Sequence, residues 1–341
     1  MGAGMKVLVT GGAGYIGSHA CLALAERGHE AVIVDSFANS SPEAVRRLAR
    51  LAGRDFELHT LDIRDGSALS QLMQGRGFDA VMHFAGLKAV GESCERPDEY
   101  FDNNVGGSRA LLDAMKANGV ASIVFSSSAS VYGNADTLPV REDAPLAPTN
   151  PYAKTKQVVE DMLDATSRTD SAFRALSLRY FNPVGAHPSG LIGEAPSGRP
   201  NNLMPMICRV AAGEEASLSV FGDDWPTPDG TGVRDYLHVV DLARAHVDAL
   251  DYLQRPERRP AINLGTGRGT SVKALLQSFE RATGVRVPFE IAPRRAGDVA
   301  SLYADVALAQ SELGWSAQLT VEQMCRDAWR WESQRRTPAP G

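Results

Sequence analysis

The sequence predicts an α/β protein, a doubly wound parallel sheet followed by a smaller C-terminal lobe. Three observations predict it. Short apolar runs at residues 6–10, 31–35, 56–60, 80–84, 122–126 and 175–180 alternate with longer helix-like stretches, the pattern of strands covered on both faces. A glycine-rich stretch, Gly11-Gly12-Ala13-Gly14-Tyr15-Ile16-Gly17, joins the first run to the first helical stretch. The pattern then changes after Pro183, and glycine and proline recur as far as Pro205. A chain of 341 residues exceeds what one core usually spans. The expected division is residues 1–182 and 183–341, with about 234–266 returning to the first sheet.

Each element has its own local reason. Residues 15–27 read as a helix stopped by Gly28, in the position where glycine ends helices. Residues 151–167 read as another, with Pro151 tolerated in its first turn. The long loop to Pro205 is of a length that usually serves a ligand. A second polar loop, 222–232, leads into Val233-Arg234-Asp235-Tyr236. Residues 256–260 read as a turn and 261–264 as a further strand. There is no internal repeat and no low-complexity tract.

Composition excludes several classes. Hydrophobic residues at 43% and charged residues at 22% describe a globular chain. A net charge of −6 argues against a nucleic-acid surface, which needs a basic stripe. It leaves room for a locally cationic pocket. Cys21, Cys94, Cys208 and Cys325 form no metal-ligand spacing, so no metal is expected, and four dispersed thiols suit a reducing cytoplasm. No apolar run reaches membrane-spanning length, and Met1 to Gly4 lacks signal-peptide regions.

The glycine loop follows a strand and opens a helix, the Rossmann-type arrangement. Gly11 lets the chain turn, Gly14 lets backbone approach a phosphate, and Gly17 lets helix and strand pack closely. The helix N-terminus offers free N–H groups to a dinucleotide's diphosphate. Asp35 ends the next strand, where a carboxylate accepts from ribose hydroxyls and repels a 2′-phosphate, so the expected cofactor is NAD. Downstream, Tyr152 and Lys156 stand one helical turn apart, and Ser128 ends a strand. Tyrosine ionises near about 10, so a base at neutral pH needs nearby cations. Lys156 and a bound nicotinamide would supply them, while Ser128 orients the reacting oxygen.

The glycine spacing and Tyr-x-x-x-Lys resemble the extended short-chain dehydrogenase/reductase superfamily. Longer strings resemble its UDP-glucose 4-epimerase family. They include Phe84-Ala85-Gly86-Leu87-Lys88-Ala89-Val90-Gly91-Glu92-Ser93, Asn103-Asn104-Val105, Ser126-Ser127-Ser128 and Leu178-Arg179-Tyr180-Phe181-Asn182-Pro183-Val184-Gly185-Ala186. Pro200-Asn201-Asn202-Leu203-Met204-Pro205, Asp229-Gly230-Thr231-Gly232-Val233-Arg234-Asp235-Tyr236 and Arg294-Arg295-Ala296-Gly297-Asp298 belong to the same likeness. It spans nearly the whole chain. It implies an NAD site lined by Tyr15, Ile16, Asp35, Asn39, Ser40, Asp62, Ile63, Phe84, Ala85, Gly86, Leu87, Lys88, Asn103 and Phe181. Ser128, Tyr152 and Lys156 would share that site. Asp62 and Ile63 would meet the adenine, and Lys88 the phosphates.

For the substrate, the resemblance implies Asn182, Asn202, Leu203, Phe221, Arg234, Arg295 and Asp298 around UDP, with Ser128 and Tyr152 at the sugar. Arginine suits diphosphate oxygens. The implied reaction interconverts UDP-glucose and UDP-galactose. Tyr152 takes the 4-hydroxyl proton as C4 gives hydride to NAD, a 4-ketose turns about its diphosphate, and the hydride returns to the other face. Leu302 departs from the family, whose members carry tyrosine or a small residue there, and would gate room for an N-acetyl group. His19, His83 and His187 lack triad or metal spacing and read as structural. A dehydratase needs a carboxylate beside the strand-end serine, and Ser126-Ser127-Ser128-Ala129 supplies none. A decarboxylase, a uronate epimerase and a silent NAD sensor remain as rivals. The family's homodimer implies pairing through residues 110–117 and 158–165, whose stripes could equally face the core.

Overall fold

The computed structural model describes residues 4–196, 198, 200–256, 258–295 and 297–336. Residues 1–3 of the N-terminal stretch, and Ala296 within the arginine-rich string, lie outside them. The first half alternates β1 (Lys6–Thr10), α1 (Tyr15–Glu26), β2 (Glu30–Asp35), α2 (Pro42–Ala52), β3 (Glu57–Thr60), α3 (Gly66–Met73) and β4 (Ala80–His83). Short helices α4 (Val90–Glu95) and α5 (Pro97–Tyr100) lead through a π-helical turn, Phe101–Gly106, into α6 (Gly107–Ala117). Then come β5 (Ser122–Ser128), α7 (Pro151–Thr169), β6 (Arg174–Tyr180) and β7 (Asn182–Val184).

The rest of the chain adds α8 (Leu203–Ala211), β8 (Leu218–Phe221), β9 (Val233–Arg234), β10 (Tyr236–His238), α9 (Val239–Tyr252) and β11 (Ala261–Leu264). β12 (Thr270–Ser271), α10 (Val272–Thr283), β13 (Phe289–Ala292), β14 (Ser301–Leu302) and α11 (Val321–Arg336) complete it. Seven strands form one sheet in the order β11-β6-β5-β4-β1-β2-β3, and each neighbouring pair is parallel. Apolar residues cover both faces. Val7 and Val9 of β1 join one buried cluster with α1 and α9, and Leu8 between them joins another with α3, α6 and α7. Burial on both faces is why the strands read as continuous apolar runs.

The segment after Pro183 departs from the expected loop. Residues 183–205 are not irregular throughout, because α8 already starts at Leu203 and contains Pro205. Proline is accepted there because a first-turn N–H has no intrahelical partner to lose. The stripes at 110–117 and 158–165 are partly committed: Leu111, Met115, Val159 and Leu163 are all buried in the core.

The strand order reverses between β1 and β4, and a ligand crevice forms outside the carboxyl ends at such a switch. His83 ends β4 there. Its Nδ1 lies 2.7 Å from Thr10 Oγ1 and its Nε2 2.8 Å from Ser108 Oγ, which itself donates to the Asn104 carbonyl. Ser108 therefore accepts from Nε2. Burial pushes His83 and His19 down to about 3 and His246 to about 4. Unfolded, each takes a proton near pH 6.5, so below that pH the unfolded chain binds more protons and stability falls. Urea denaturation at pH 5 should show a loss of roughly 2 kcal/mol per histidine against pH 7.5; equal stability at both would show that the folded state protonates them.

Candidate active site

The loop after β1 is shaped to approach something closely. Gly11 has φ +69°, and a Cβ there would stand 2.7 Å from the Ala85 nitrogen. A Cβ on Gly17 would come within 2.2 Å of the Gly11 carbonyl oxygen. The loops after β1 and β4 are thus pressed together, and neither glycine tolerates a side chain. Gly14 caps α1 with no side-chain hydrogen bond, so the first-turn amides point at the crevice unclaimed by a side chain. Such a bare N-terminus fits a dinucleotide diphosphate.

Asp35 is buried at the end of β2, and its carboxylate is already employed. Oδ2 accepts from Ala13 N at 3.0 Å, while Oδ1 accepts from Phe37 N and from Ser40 Oγ at 2.9 and 2.7 Å. It therefore ties the glycine loop to the loop carrying Asn39 and Ser40. Asp62 pairs with Arg64, which also reaches Asp102. Ile63 is buried beside it against Gly107. Phe84 stacks 4.7 Å from His246. Tyr15 turns towards Gly185, its hydroxyl donating to that residue's carbonyl, and Ile16 packs on the core.

Ala85, Gly86, Leu87 and Lys88 are held by a residue the sequence reading did not single out. Asn104, in the π-helical turn next to Asn103, accepts from Leu87 N at 2.7 Å and donates to Leu87 O at 3.0 Å. It also donates to Thr155 Oγ1, which in turn donates to the Tyr152 carbonyl. One amide thus connects the β4 loop to the N-terminus of α7. The Asn103-Asn104 pair was the available signal, but only the folded turn distinguishes its members.

At that N-terminus, Asn150 caps α7 and Pro151 opens it. The Ser128 hydroxyl faces the Tyr152 phenol and accepts from Ser130 N and Oγ at 3.2 and 2.9 Å. Lys156 is buried, its Nζ donating to the Ser126 carbonyl at 2.7 Å and lying 5.8 Å from the centre of the Tyr152 ring. Burial drives Lys156 down to about 8, with Glu160 opposing. Burial likewise holds Tyr152 above its ordinary value, while the neighbouring Ser128 hydroxyl and the Lys88 charge pull it down. The cation whose charge lowers Tyr152 here is therefore Lys88, not the expected Lys156. Its Nζ sits 2.8 Å from Glu194, which also accepts from Asn202 Nδ2 at 2.7 Å. Glu194 lies inside the long loop, with no motif to betray it.

The substrate-side candidates gather around β8, β9 and β14. Arg295 stacks 4.5 Å above the Phe221 ring and pairs with Asp298 at 3.2 Å. Burial lowers the Arg234 pKa, with Asp298 opposing; a desolvated guanidinium gains from an incoming anion. Leu302 sits in β14 opposite Arg234 and packs on the cluster that contains Phe181, Ala129 and Tyr132. Asn182 donates its N–H to the Asp235 carbonyl, Asn202 caps α8, and Leu203 begins it. Among the described residues there is no cluster of metal-ligating side chains.

Residues 7–265 match the NAD dependent epimerase/dehydratase family. A UDP-glucose 4-epimerase of Mus musculus is 52% identical over 336 residues, covering 96% of this chain and 97% of its own length. The chain belongs to the UDP-glucose 4-epimerase family. A solved family structure from Stenotrophomonas maltophila, with bound NAD and formylated UDP-arabinopyranose, has a TM-score of 0.95 at 55% identity, covering 97% of this chain and 98% of that one. Another from Bifidobacterium longum, in complex with NAD+ and UDP, has a TM-score of 0.93 at 45% identity with the same coverage. The glycine cradle and the bare helix end described above fit the family's NAD. Replacing Lys88 by Met removes a cation that favours the Tyr152 phenolate, so the acid limb of kcat/KM should move to higher pH by about one unit. A limb that stays put would take Lys88 out of Tyr152's electrostatics.

Proposed function

We propose that this chain is a UDP-glucose/UDP-galactose 4-epimerase in galactose metabolism. The observation that carries the reading is Tyr152, facing Ser128, with the Lys156 ammonium 5.8 Å from its ring and the Lys88 charge acting on it, and linked through one loop to the glycine cradle. NAD, when bound, would supply a reversible hydride acceptor for C4. It would lie along Gly11, Gly14 and Gly17, with Asp35 at the adenosine ribose and Lys88 near the phosphates.

The chain's own residues do the rest. Tyr152, as phenolate, accepts the 4-hydroxyl proton, and a 4-ketone remains on the sugar once C4 has lost its hydride. Ser128 orients that oxygen. Arg234 and Arg295 grip the diphosphate while Phe221 and Asp298 hold the nucleoside, so the sugar can turn about its link without leaving. Tyr152 then returns the proton to the 4-oxygen after the other sugar face has come round. The result is inversion at C4 with no net oxidation.

We also infer the two-lobe division at residue 182, a cytoplasmic location and a homodimer. The dimer is supported by the half-buried flank of α7 at Val158. Sedimentation as a monomer at assay concentration would remove it. No helix among the described residues is long and apolar enough to cross a membrane.

Purified protein given UDP-galactose without added cofactor should produce UDP-glucose, and Tyr152→Phe should lower kcat by about 10²–10⁴-fold. Formation of a dehydrated or decarboxylated sugar, or near-normal turnover by the variant, would overturn the reading. Leu302→Tyr should depress turnover of UDP-N-acetylglucosamine more than that of UDP-glucose. An equal effect on both removes the gate.

A further inference from the structure

Behind the proton relay lies a buried carboxylate that the mechanism leaves aside. Glu160 stands one helical turn beyond Lys156 on α7 and is 8% exposed. Its Oε1 and Oε2 accept from Arg179 Nε at 3.0 and 3.1 Å, and Oε2 accepts from Arg179 Nη2 at 2.6 Å. Ser127 Oγ donates to Oε1 as well. Arg179 lies on β6, and its Nη1 donates to the Tyr132 hydroxyl at 2.9 Å. A single carboxylate therefore ties α7, β5 and β6 together where β5 delivers Ser128.

Stability alone does not explain such a group. The desolvation cost of a buried ion pair largely offsets its attraction, and packed apolar side chains join three elements equally well. What a carboxylate adds is charge beside an ammonium. The groups facing Lys156 can be named. On α7 they are Tyr152 and Glu160; on β5, the Ser126 carbonyl and the Phe125 ring, 4.9 Å away. On β4 it is His83, which burial keeps neutral. Among the described residues, Glu160 is the carboxylate whose charge favours the Lys156 ammonium against burial.

We propose that Glu160 is a positioning residue for the relay: its negative charge keeps Lys156 an ammonium at neutral pH, and its bond from Ser127 fixes the strand end that presents Ser128. This rests on the reading of Tyr152 and Lys156 as the relay. The two fail separately, since that reading falls if Tyr152→Phe stays active, whatever Glu160 does.

Glu160→Gln removes the charge while keeping shape and a carbonyl that accepts from Ser127 and Arg179. In the NAD-loaded enzyme converting UDP-galactose, the alkaline limb of kcat/KM should move to lower pH by about one unit or more, because Lys156 loses its proton sooner. The double variant E160Q/R179M leaves no unpaired guanidinium, and it should keep the limb lowered even if the single variant folds poorly. Ser127→Ala, with the charge intact, should lower kcat several-fold with the limb unmoved. A purely structural Glu160 predicts reduced activity or a lower melting temperature with the alkaline limb where it was. That result in both charge variants overturns the charge role, and full kcat in Ser127→Ala overturns the strand-end role.

Discussion

Burial of charge-bearing groups at the carboxyl ends of β5 and α7's first turns is the constraint on which the site depends. Out of water, a tyrosine holds its proton more tightly and a lysine releases its own more easily. Both shifts are present here, and each works against a base at residue 152. The fold answers with fixed partners: Ser128 at the phenol, the Ser126 carbonyl at the Lys156 ammonium, and the Lys88 charge nearby. The same dry surroundings that raise the cost of each charge also strengthen each of these interactions.

Such partners work only when their geometry is held, and small polar residues hold it. Asn104 fastens the β4 loop to α7 from within a π-helical turn. π-turns displace one residue from the regular ladder and recur at functional sites. Asp35 fixes the two loops that flank β2's end. Asp235 accepts from Thr266, Gly267 and Ala304, and its own N–H donates to the Leu302 carbonyl. It thereby sets β9, with Arg234, beside β14, with Leu302.

Segments far apart in the chain meet through side chains as well as backbone. Tyr15 leaves the cofactor loop to bond Gly185, and Glu194 draws Lys88 from one side and Asn202 from the other. Cofactor-side and substrate-side candidates therefore share a carboxylate, which suits a reaction in which both ligands must be present together.

By itself, the sequence determined the sheet, because strands buried on both faces must be apolar throughout. It also determined the glycine cradle, because only glycine fits where a Cβ would strike Ala85 or Gly11, and the Tyr152–Lys156 pair, because one helical turn is a fixed distance. The family strings extended that to the candidate ligand residues. The tertiary structure alone decided what each polar atom bonds. It separated Asn104 from Asn103, started α8 before Pro205, gave Asp35 structural partners, and set Lys88 beside Tyr152 and Glu160 behind Lys156. Those pairings cross from one element to another, some over a hundred residues of chain, as between Lys88 and Glu194. Local periodicity carries no record of them, since a polar side chain's partner is chosen by packing after the strands and helices have formed.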